Sequence, residues 1–199
     1  MELVDQLEEV KCLDLDTFDC FILSVSSHGD EGTPGKRSRG VFMTSDRKFI
    51  PVNYILSNFS DKSCPKLIGK PKIFIFPICR GVRTEGTDVG RVPPVIFQST
   101  EKYEEPSNEE LYTLHDTKVL FATKMGFKAF SNPQVGRWFV FSLCEALANH
   151  AHDLDFNSIV TEAEFLYSTW SGDSSRKSCS ENFAFQKYLY LNPGLQYIP

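Results

Sequence analysis

The sequence lacks the features that define several large classes of protein. No apolar run approaches the ~20 residues that a membrane-spanning helix needs, and the acidic, amphipathic N-terminus does not look like a signal peptide. The six cysteines form no Cys-x-x-Cys pair, and several fall within apolar runs. This usage favours a reduced, cytoplasmic protein over a disulfide scaffold or a zinc module. The net charge of −5 argues against nucleic acid or an anionic membrane as a partner.

What is present is the composition of an ordinary globular domain. The 199 residues can bury a good core as one domain, and 41% of them are hydrophobic against 24% charged. No internal repeat is visible. Composition therefore indicates a globular protein without assigning a function, and the candidate functional residues must come from local motifs.

Two apolar runs of strand length end in polar, glycine-containing segments. Residues 72–76 lead through Pro77 to Cys79, and residues 21–26 lead to His28. Continuous apolar runs are typical of buried parallel strands, and active sites of open α/β sheets lie beyond the carboxyl ends of such strands. His28 lies about 50 residues before Cys79, and a similar spacing separates the catalytic histidine from the catalytic cysteine in some enzymes. The alternative is that Cys79 is a small buried side chain with no chemical role.

The rest of the sequence predicts further helices and strands and one long flexible segment. We expect an N-terminal amphipathic helix at 1–10, a hairpin at 40–50 and a short helix begun by a proline at 51–59. A strand at 118–123 and two longer helices at 132–147 and 155–166 should follow. Residues 82–116 are polar and contain three prolines, which predicts the flexible segment. A serine-rich loop is expected at 171–182 and a last strand at 183–191.

Four spaced motifs point to one family. They are Ser27-His28-Gly29 after the first strand, Cys79-Arg80-Gly81 after the second, Asn132-Pro133 followed by Gly136-Arg137-Trp138-Phe139, and Lys187-Tyr188-Leu189-Tyr190-Leu191 near the C-terminus. In this order they resemble the motifs of the caspases, the cysteine endopeptidases of apoptosis and inflammation. The resemblance covers most of the chain. It implies an α/β fold of three layers, with a mostly parallel central sheet and flanking helices.

The resemblance also implies how a single caspase-like domain at 1–199 is divided. We expect 1–81 to be part of the large-subunit region, 82–116 the inter-subunit linker and 117–199 the small-subunit region. Because the likeness begins near the family's second helix, the first strand–helix–strand of the family is expected to be missing. Asp88 is the aspartate inside the linker and is the candidate processing site.

By the same resemblance, Cys79, His28 and Gly29 form the catalytic site. A thiolate is the nucleophile, so Cys79 needs a base, and His28 can accept its proton and later protonate the leaving amine. Gly29 has no Cβ, so its N–H can approach the substrate and form an oxyanion hole with the N–H of Cys79. No cofactor is expected. No metal site is expected either, since His150 and His152 do not share a helical face.

The substrate pocket departs from the family pattern. Caspases hold the P1 aspartate with two arginines and one glutamine. Here Pro77 stands at the glutamine position and Ser131 at one arginine position, while the other arginine falls in the missing region. Lys128 and Phe130 lie at neighbouring S1 and S2 positions, where we also expect the family pattern to be lost. Burying an unpaired carboxylate costs several kcal/mol, so the sequence predicts a dismantled P1-aspartate pocket.

Two functions remain open at this stage. The first is a partner protein that modulates an active caspase paralogue by heterodimerisation in apoptotic signalling, with a homo- or heterodimer interface on the C-terminal strand near 183–186. The second is an active cysteine endopeptidase that cuts protein substrates after Asp or with an altered P1 preference. A third, an unrelated cytoplasmic α/β protein, does not account for the ordered motifs. A guanidinium from elsewhere in the chain beside Ser131, facing Cys79, would restore an aspartate-directed protease.

Overall fold

The computed structural model describes residues 3–32, 38–83, 103–132, 134–170 and 177–191. The strands are β1 (Phe21–Ser24), β2 (Gly29–Asp30), β3 (Val41–Met43), β4 (Phe49–Pro51), β5 (Lys72–Phe76), β6 (Thr117–Phe121), β7 (Ser131–Asn132), β8 (Gly136–Arg137) and β9 (Cys179–Phe183). The helices are α1 (Leu3–Cys12), α2 (Val52–Asn58), α3 (Asn108–Tyr112), α4 (Trp138–His150) and α5 (Phe156–Trp170). None of these helices has both the length and the apolar character that crossing a membrane requires.

The central sheet of the described chain has four strands in the order β1-β5-β6-β9. β1, β5 and β6 are parallel, with Phe21 opposite Lys72 and Lys72 opposite Thr117, whereas β9 runs antiparallel to β6. The two central strands are covered on both faces, which explains why their sequences are almost continuously apolar. The strand that leads to His28 and the strand that leads to Cys79 therefore lie side by side.

Helices cover both faces of this sheet and form two hydrophobic cores. Alternate side chains of β5 face opposite ways, so Phe74 and Phe76 pack with α1 and α2 while Ile73 and Ile75 pack with α4 and α5. Phe74, Phe76 and Ile73 are fully buried. The predicted three-layer α/β fold with a mostly parallel sheet is confirmed.

The predicted hairpin is present, and the helix after it begins one residue later than expected. β3 and β4 are antiparallel, and β2 pairs with the other side of β3. Pro51 closes β4 with an extended backbone (ψ 137°) and caps α2, so Val52 is the first helical residue. The expectation that Pro51 itself starts the helix was wrong because the strand continues through it.

The expectation of a flexible segment at 82–116 was wrong for its second half. Tyr103 and Leu114 are buried, and α3 begins with a capping box in which Ser107 and Glu110 bond each other's backbone N–H. Glu105 accepts a hydrogen bond from Asn53 of α2 at 2.8 Å. Apolar residues spaced among the charges thus fix 103–116 to the domain. Residues 84–102, with Asp88, lie outside the described residues.

The C-terminal strand is not where the sequence indicated. β9 spans Cys179–Phe183 and pairs with β6, within the expected serine-rich loop, while no described residue of 184–191 lies in a strand. The sequence misleads because β9 is an edge strand whose outward positions, Ser180 and Asn182, are exposed and polar. The alternating pattern of 188–191 arises because Leu189 and Leu191 pack against the second core.

The helix expected from Asn132 begins at Trp138 instead. A small hairpin precedes it, with β7 and β8 paired antiparallel and Ser131 directly opposite Arg137. The side-chain oxygen of Asn132 accepts hydrogen bonds from the N–H groups of Gln134 and Val135, so Asn132 forms the turn of a hairpin rather than a helix cap.

Candidate active site

Cys79 lies three residues beyond β5, on a segment held against the chain after β6. Its Sγ is 3.4 Å from the backbone N of Ala129, which donates to it, and 4.0 Å from the carbonyl oxygen of Ala129. The following residue, Arg80, donates its N–H to the carbonyl of Phe127 at 2.9 Å. Close backbone contact between Gly81 and Gly126 completes this pairing. The half-buried thiol is thus fixed by backbone contacts on both sides.

His28 lies at the end of β1, on a loop that is fixed to β3. The hydroxyl of Ser27 donates to the carbonyl of Met43, and the N–H of Met43 donates to the carbonyl of His28 at 2.9 Å. The imidazole of His28 is exposed at the same edge of the sheet as Cys79, because β1 and β5 are parallel neighbours. The loop therefore presents a polar side chain at the carboxyl end of its strand, as an α/β active site requires.

Gly29 joins the two strand ends. A Cβ placed on Gly29 would lie 2.5 Å from the carbonyl oxygen of Cys79 and 2.8 Å from the Cβ of Ile78, which no side chain can tolerate. The N–H of Met43 donates to His28, so these two residues form a hydrogen-bonded pair next to the pair of Gly29 and Phe42. Hydrogen-bonded and non-hydrogen-bonded pairs alternate along an antiparallel ladder, so the N–H of Gly29 is directed away from β3. Among the described residues, nothing accepts a hydrogen bond from the N–H of Cys79. Two backbone donors are therefore available beside the thiol.

The remaining predicted site residues are spread between surface and core. Ser131 and Lys128 are exposed, Phe130 is half-buried and Pro77 is buried behind the Cys79 segment. A buried proline cannot offer a side-chain donor to a ligand.

The sequence analysis did not assign Arg137 a role in the site. Because the β7–β8 hairpin sets Arg137 opposite Ser131, its side chain reaches back to the histidine loop, and Nη2 donates to the carbonyl of Ser27 at 2.8 Å. The sequence signal was present: an asparagine that can form a turn, then a glycine that here adopts φ +78°, four residues later. Read as a hairpin, this segment would have brought Arg137 to Ser131.

A second arginine, Arg80, directly follows Cys79 in the chain. It is buried, donates to the carbonyls of Arg39 (3.0 Å) and Thr123 (3.4 Å), and stacks on the ring of Phe121 at 3.7 Å. Its Nη2 lies 3.8 Å from the carboxylate of Glu181 on β9, and burial lowers the pKa of Arg80 against the opposing effect of that acid. Arg80 is fully engaged and anchors the residue next to Cys79.

No metal site accompanies these groups within the described parts of the chain, where no cluster of three His, Cys, Asp or Glu side chains could hold an ion. A thiol and an imidazole at the ends of neighbouring parallel strands, with two backbone N–H groups beside them, are typical of a cysteine-dependent hydrolase. The sequence matches the family model for the caspase domain over residues 2–187. The chain belongs to the caspase family.

Similar proteins agree with this assignment. The chain is 29% identical over 193 residues to caspase Dronc of Drosophila melanogaster, covering 88% of this chain and 41% of that protein. It is 31% identical over 163 residues to caspase-3 of Mesocricetus auratus, covering 80% and 52%. The chain thus spans about half of these relatives or less. The crystal structure of caspase-1 from Spodoptera frugiperda superposes with a TM-score of 0.67 at 20% identity, over 90% of this chain and 66% of that one.

Proposed function

We propose that this protein is a caspase-type cysteine endopeptidase with Cys79 as nucleophile and His28 as general base and acid. The observation that carries the proposal is the contact between Gly29 and the Cys79 carbonyl, which brings the ends of β1 and β5 together with no space for a side chain. We also propose protein substrates, a cytoplasmic setting and a role in apoptotic signalling, which membership of the family supports.

The reaction would proceed through an acyl-enzyme. His28 takes the thiol proton, and the Cys79 sulfur attacks the peptide carbonyl carbon while the N–H groups of Gly29 and Cys79 stabilise the oxyanion. His28 then gives its proton to the leaving amine as the C–N bond breaks. Water, deprotonated by His28, attacks the thioester carbonyl; the acid product leaves and Sγ regains a proton. The N–H of Ala129 donates to Sγ at 3.4 Å and so holds the sulfur in position.

A covalent probe tests this proposal directly. The full chain would be incubated with peptidyl acyloxymethyl ketones that carry Asp, Asn or Leu at P1, and the modified residue identified by peptide mass spectrometry. We expect labelling of Cys79 that is lost in His28→Ala and unchanged in Cys144→Ala, which removes an exposed thiol on α4. Labelling spread over the exposed cysteines, and equal in His28→Ala, would contradict the proposal.

A second candidate is a partner protein that modulates a caspase paralogue, and the free edge of β9 favours it. Within the described residues β9 pairs on one side only, so its other edge can receive a strand from a second chain. The loss of the family's ligands at Pro77 and Ser131 would suit a binder that does not cut. Adding the Cys79→Ala variant to an active caspase should change the rate of that enzyme if this function holds; an unchanged rate at saturating concentration argues against it.

Cleavage at Asp88 within 82–116 is a further part of the proposal. The packing of Tyr103 and α3 suggests that the downstream side of such a cut stays bound to the domain, since Tyr103 stacks edge-to-face on Tyr54 at 5.3 Å. Treatment with an active caspase should give two fragments that co-elute in gel filtration, and Asp88→Ala should remain whole. Cleavage elsewhere in Asp88→Ala would remove this residue from the proposal.

A further inference from the structure

The register of the β7–β8 hairpin gives Arg137 and Ser131 a common face. Ser131 and Arg137 are directly opposite, and directly opposite side chains of an antiparallel pair project to the same side with their Cβ atoms about 5 Å apart. Gly136 takes φ +78° at the turn, where no other atom lies within 4 Å of the place for a Cβ. The guanidinium is therefore delivered to the side of the hairpin that carries the Ser131 hydroxyl.

The position of Arg137 relative to the catalytic groups is fixed at both ends. Its Nη2 donates to the carbonyl of Ser27, the residue directly before His28, at 2.8 Å. The other end of the hairpin follows Ala129, whose N–H contacts the Cys79 sulfur. The cation thus bridges the loop that presents the imidazole and the segment that contacts the thiol.

Arg137 has hydrogen-bonding capacity to spare. A guanidinium carries five N–H donors, and in the described chain the Ser27 carbonyl is the acceptor found for Arg137, with no carboxylate in ion-pair contact. The side chain is half-buried, so it is partly screened from water yet reachable. Arg80 differs on each point, because it is 3% exposed and its guanidinium is occupied by two carbonyls and Glu181.

We infer that Arg137 is a specificity-determining residue that binds the carboxylate of an acidic P1 side chain, with the Ser131 hydroxyl as a second donor. The inference rests on the proposed function of Cys79 and names the residue that recognises the P1 side chain. A guanidinium fork fits a carboxylate with two parallel hydrogen bonds, which a lysine such as Lys128 cannot reproduce. The pocket is then not dismantled: the cation comes from β8 instead of from the Ser131 position on β7.

The test compares two peptides that differ only in the charge of P1, aspartate against the isosteric asparagine. We expect the wild type to favour Asp in kcat/KM by about 10- to 150-fold, the range of hydrogen bonds to a charged group. Arg137→Gln should reduce that ratio to near one, because kcat/KM for the Asp peptide falls further than kcat/KM for the Asn peptide. Arg47→Gln, which removes an exposed arginine from the β3–β4 turn, should keep the ratio. An unchanged ratio in Arg137→Gln, with Cys79 still active, overturns the inference and leaves the proposed function standing.

Arg137→Gln and one further variant together test whether Arg137 has a purely structural role. If it only ties the histidine loop, Arg137→Gln will slow both peptides equally, which also overturns the inference. Moving the arginine across the hairpin, in Ser131→Arg combined with Arg137→Ser, should recover at least a tenfold preference for Asp if the carboxylate site lies between the two positions. Absence of any recovery contradicts this geometry.

A binding assay distinguishes a failure of this inference from a failure of the proposed catalytic function. In a Cys79→Ala background, fluorescence anisotropy would compare labelled Asp and Asn peptides without turnover. We expect about tenfold tighter binding of the Asp peptide, lost when Arg137→Gln is added. If the wild type hydrolyses neither peptide, this result still supports Arg137 while the proposed function fails. Equal dissociation constants in the Cys79→Ala protein overturn the inference.

Discussion

Replacing Gly29 with alanine provides a direct test of the active-site geometry. The new Cβ would lie 2.5 Å from the Cys79 carbonyl oxygen and 2.8 Å from both the Ile78 Cβ and the Val41 carbonyl oxygen, against an ordinary contact of at least 3.4 Å. Two of these neighbours are backbone atoms in paired segments, so they cannot rotate away. The histidine loop must therefore move from the cysteine segment by roughly 0.9 Å.

A shift of this size acts on catalysis more than on folding. Misplacement of reacting groups by about 1 Å can cost 100-fold, and loss of one oxyanion donor costs about 3 kcal/mol, so we expect kcat/KM to fall by 100- to 1000-fold on this basis. The assay is hydrolysis of the best peptide from the probe panel, with circular dichroism melting on the same samples. Gly29→Ala should melt roughly 2–12 °C below the wild type, since overpacking costs about 1–3 kcal/mol, and should still be folded at the assay temperature.

The matched control is Gly69→Ala. Gly69 has φ +74° and its nearest neighbour to an added Cβ is the flexible end of Lys187 at 3.9 Å. Alanine there should lower stability by about 1 kcal/mol through backbone strain and leave kcat/KM unchanged. The reasoning is refuted if Gly29→Ala keeps more than one third of wild-type kcat/KM while remaining folded, or if both variants lose activity alike.

Three further changes test the framework around the site. Glu181→Gln removes the β9 carboxylate that lies 2.6 Å from Arg39 and 3.8 Å from Arg80, and it should lower the free energy of unfolding by about 1–2 kcal/mol in urea titrations; an unchanged midpoint would mean that these ion pairs add no stability. Asp155→Ala removes the side chain that accepts hydrogen bonds at the start of α5 and should cost about 1 kcal/mol. Burial raises the pKa of Asp155, but its hydrogen bonds outweigh burial and hold the pKa below 3.8. The difference from wild type should therefore be full above that pH and shrink as the pH falls through the folded-state pKa; a difference that stays constant down to the lowest pH at which the wild type is folded would contradict this prediction. Tyr103→Ala should lower the free energy of unfolding by about 3 kcal/mol because the ring is buried against Tyr54. Limited proteolysis of this variant should then cut near α3, whereas a protease-resistant variant would argue against docking of this segment.

The parts of the fold that the sequence predicted are those in which local pattern and burial agree. β5 and β6 are covered on both faces, so their sequences are apolar throughout and identify them as buried strands. The apolar residues of α5 that pack in the second core repeat with the helical period, so the sequence identified this segment as an amphipathic helix. The sequence also predicted that Cys79 and His28 lie beyond the carboxyl ends of two strands, and the parallel pairing of β1 with β5 brings those two ends together.

The parts that the sequence did not predict depend on contacts between distant segments. β9 is recognised by its pairing with β6 about 60 residues earlier, and as an edge strand it tolerates polar residues on its outward face. The β7–β8 hairpin has strands of two residues each, too short for any periodicity, and a single asparagine side chain sets its turn. The position of Arg137 depends on that turn, which is why counting residues from the family motif led to Ser131 alone.

The two arginines near Cys79 show why burial, and not proximity, decides which cation can act on a substrate. A carboxylate that approached Arg80 would have to displace two carbonyl oxygens and Glu181 from a side chain that water barely reaches, and each displaced acceptor would be left without its partner. Among the described residues the Ser27 carbonyl is the acceptor found for Arg137, so a carboxylate that approached its other N–H groups would displace no protein acceptor of those residues. The first arginine can therefore hold the nucleophile in place and the second can select the substrate, even though the position where the family keeps its arginine is occupied by Ser131.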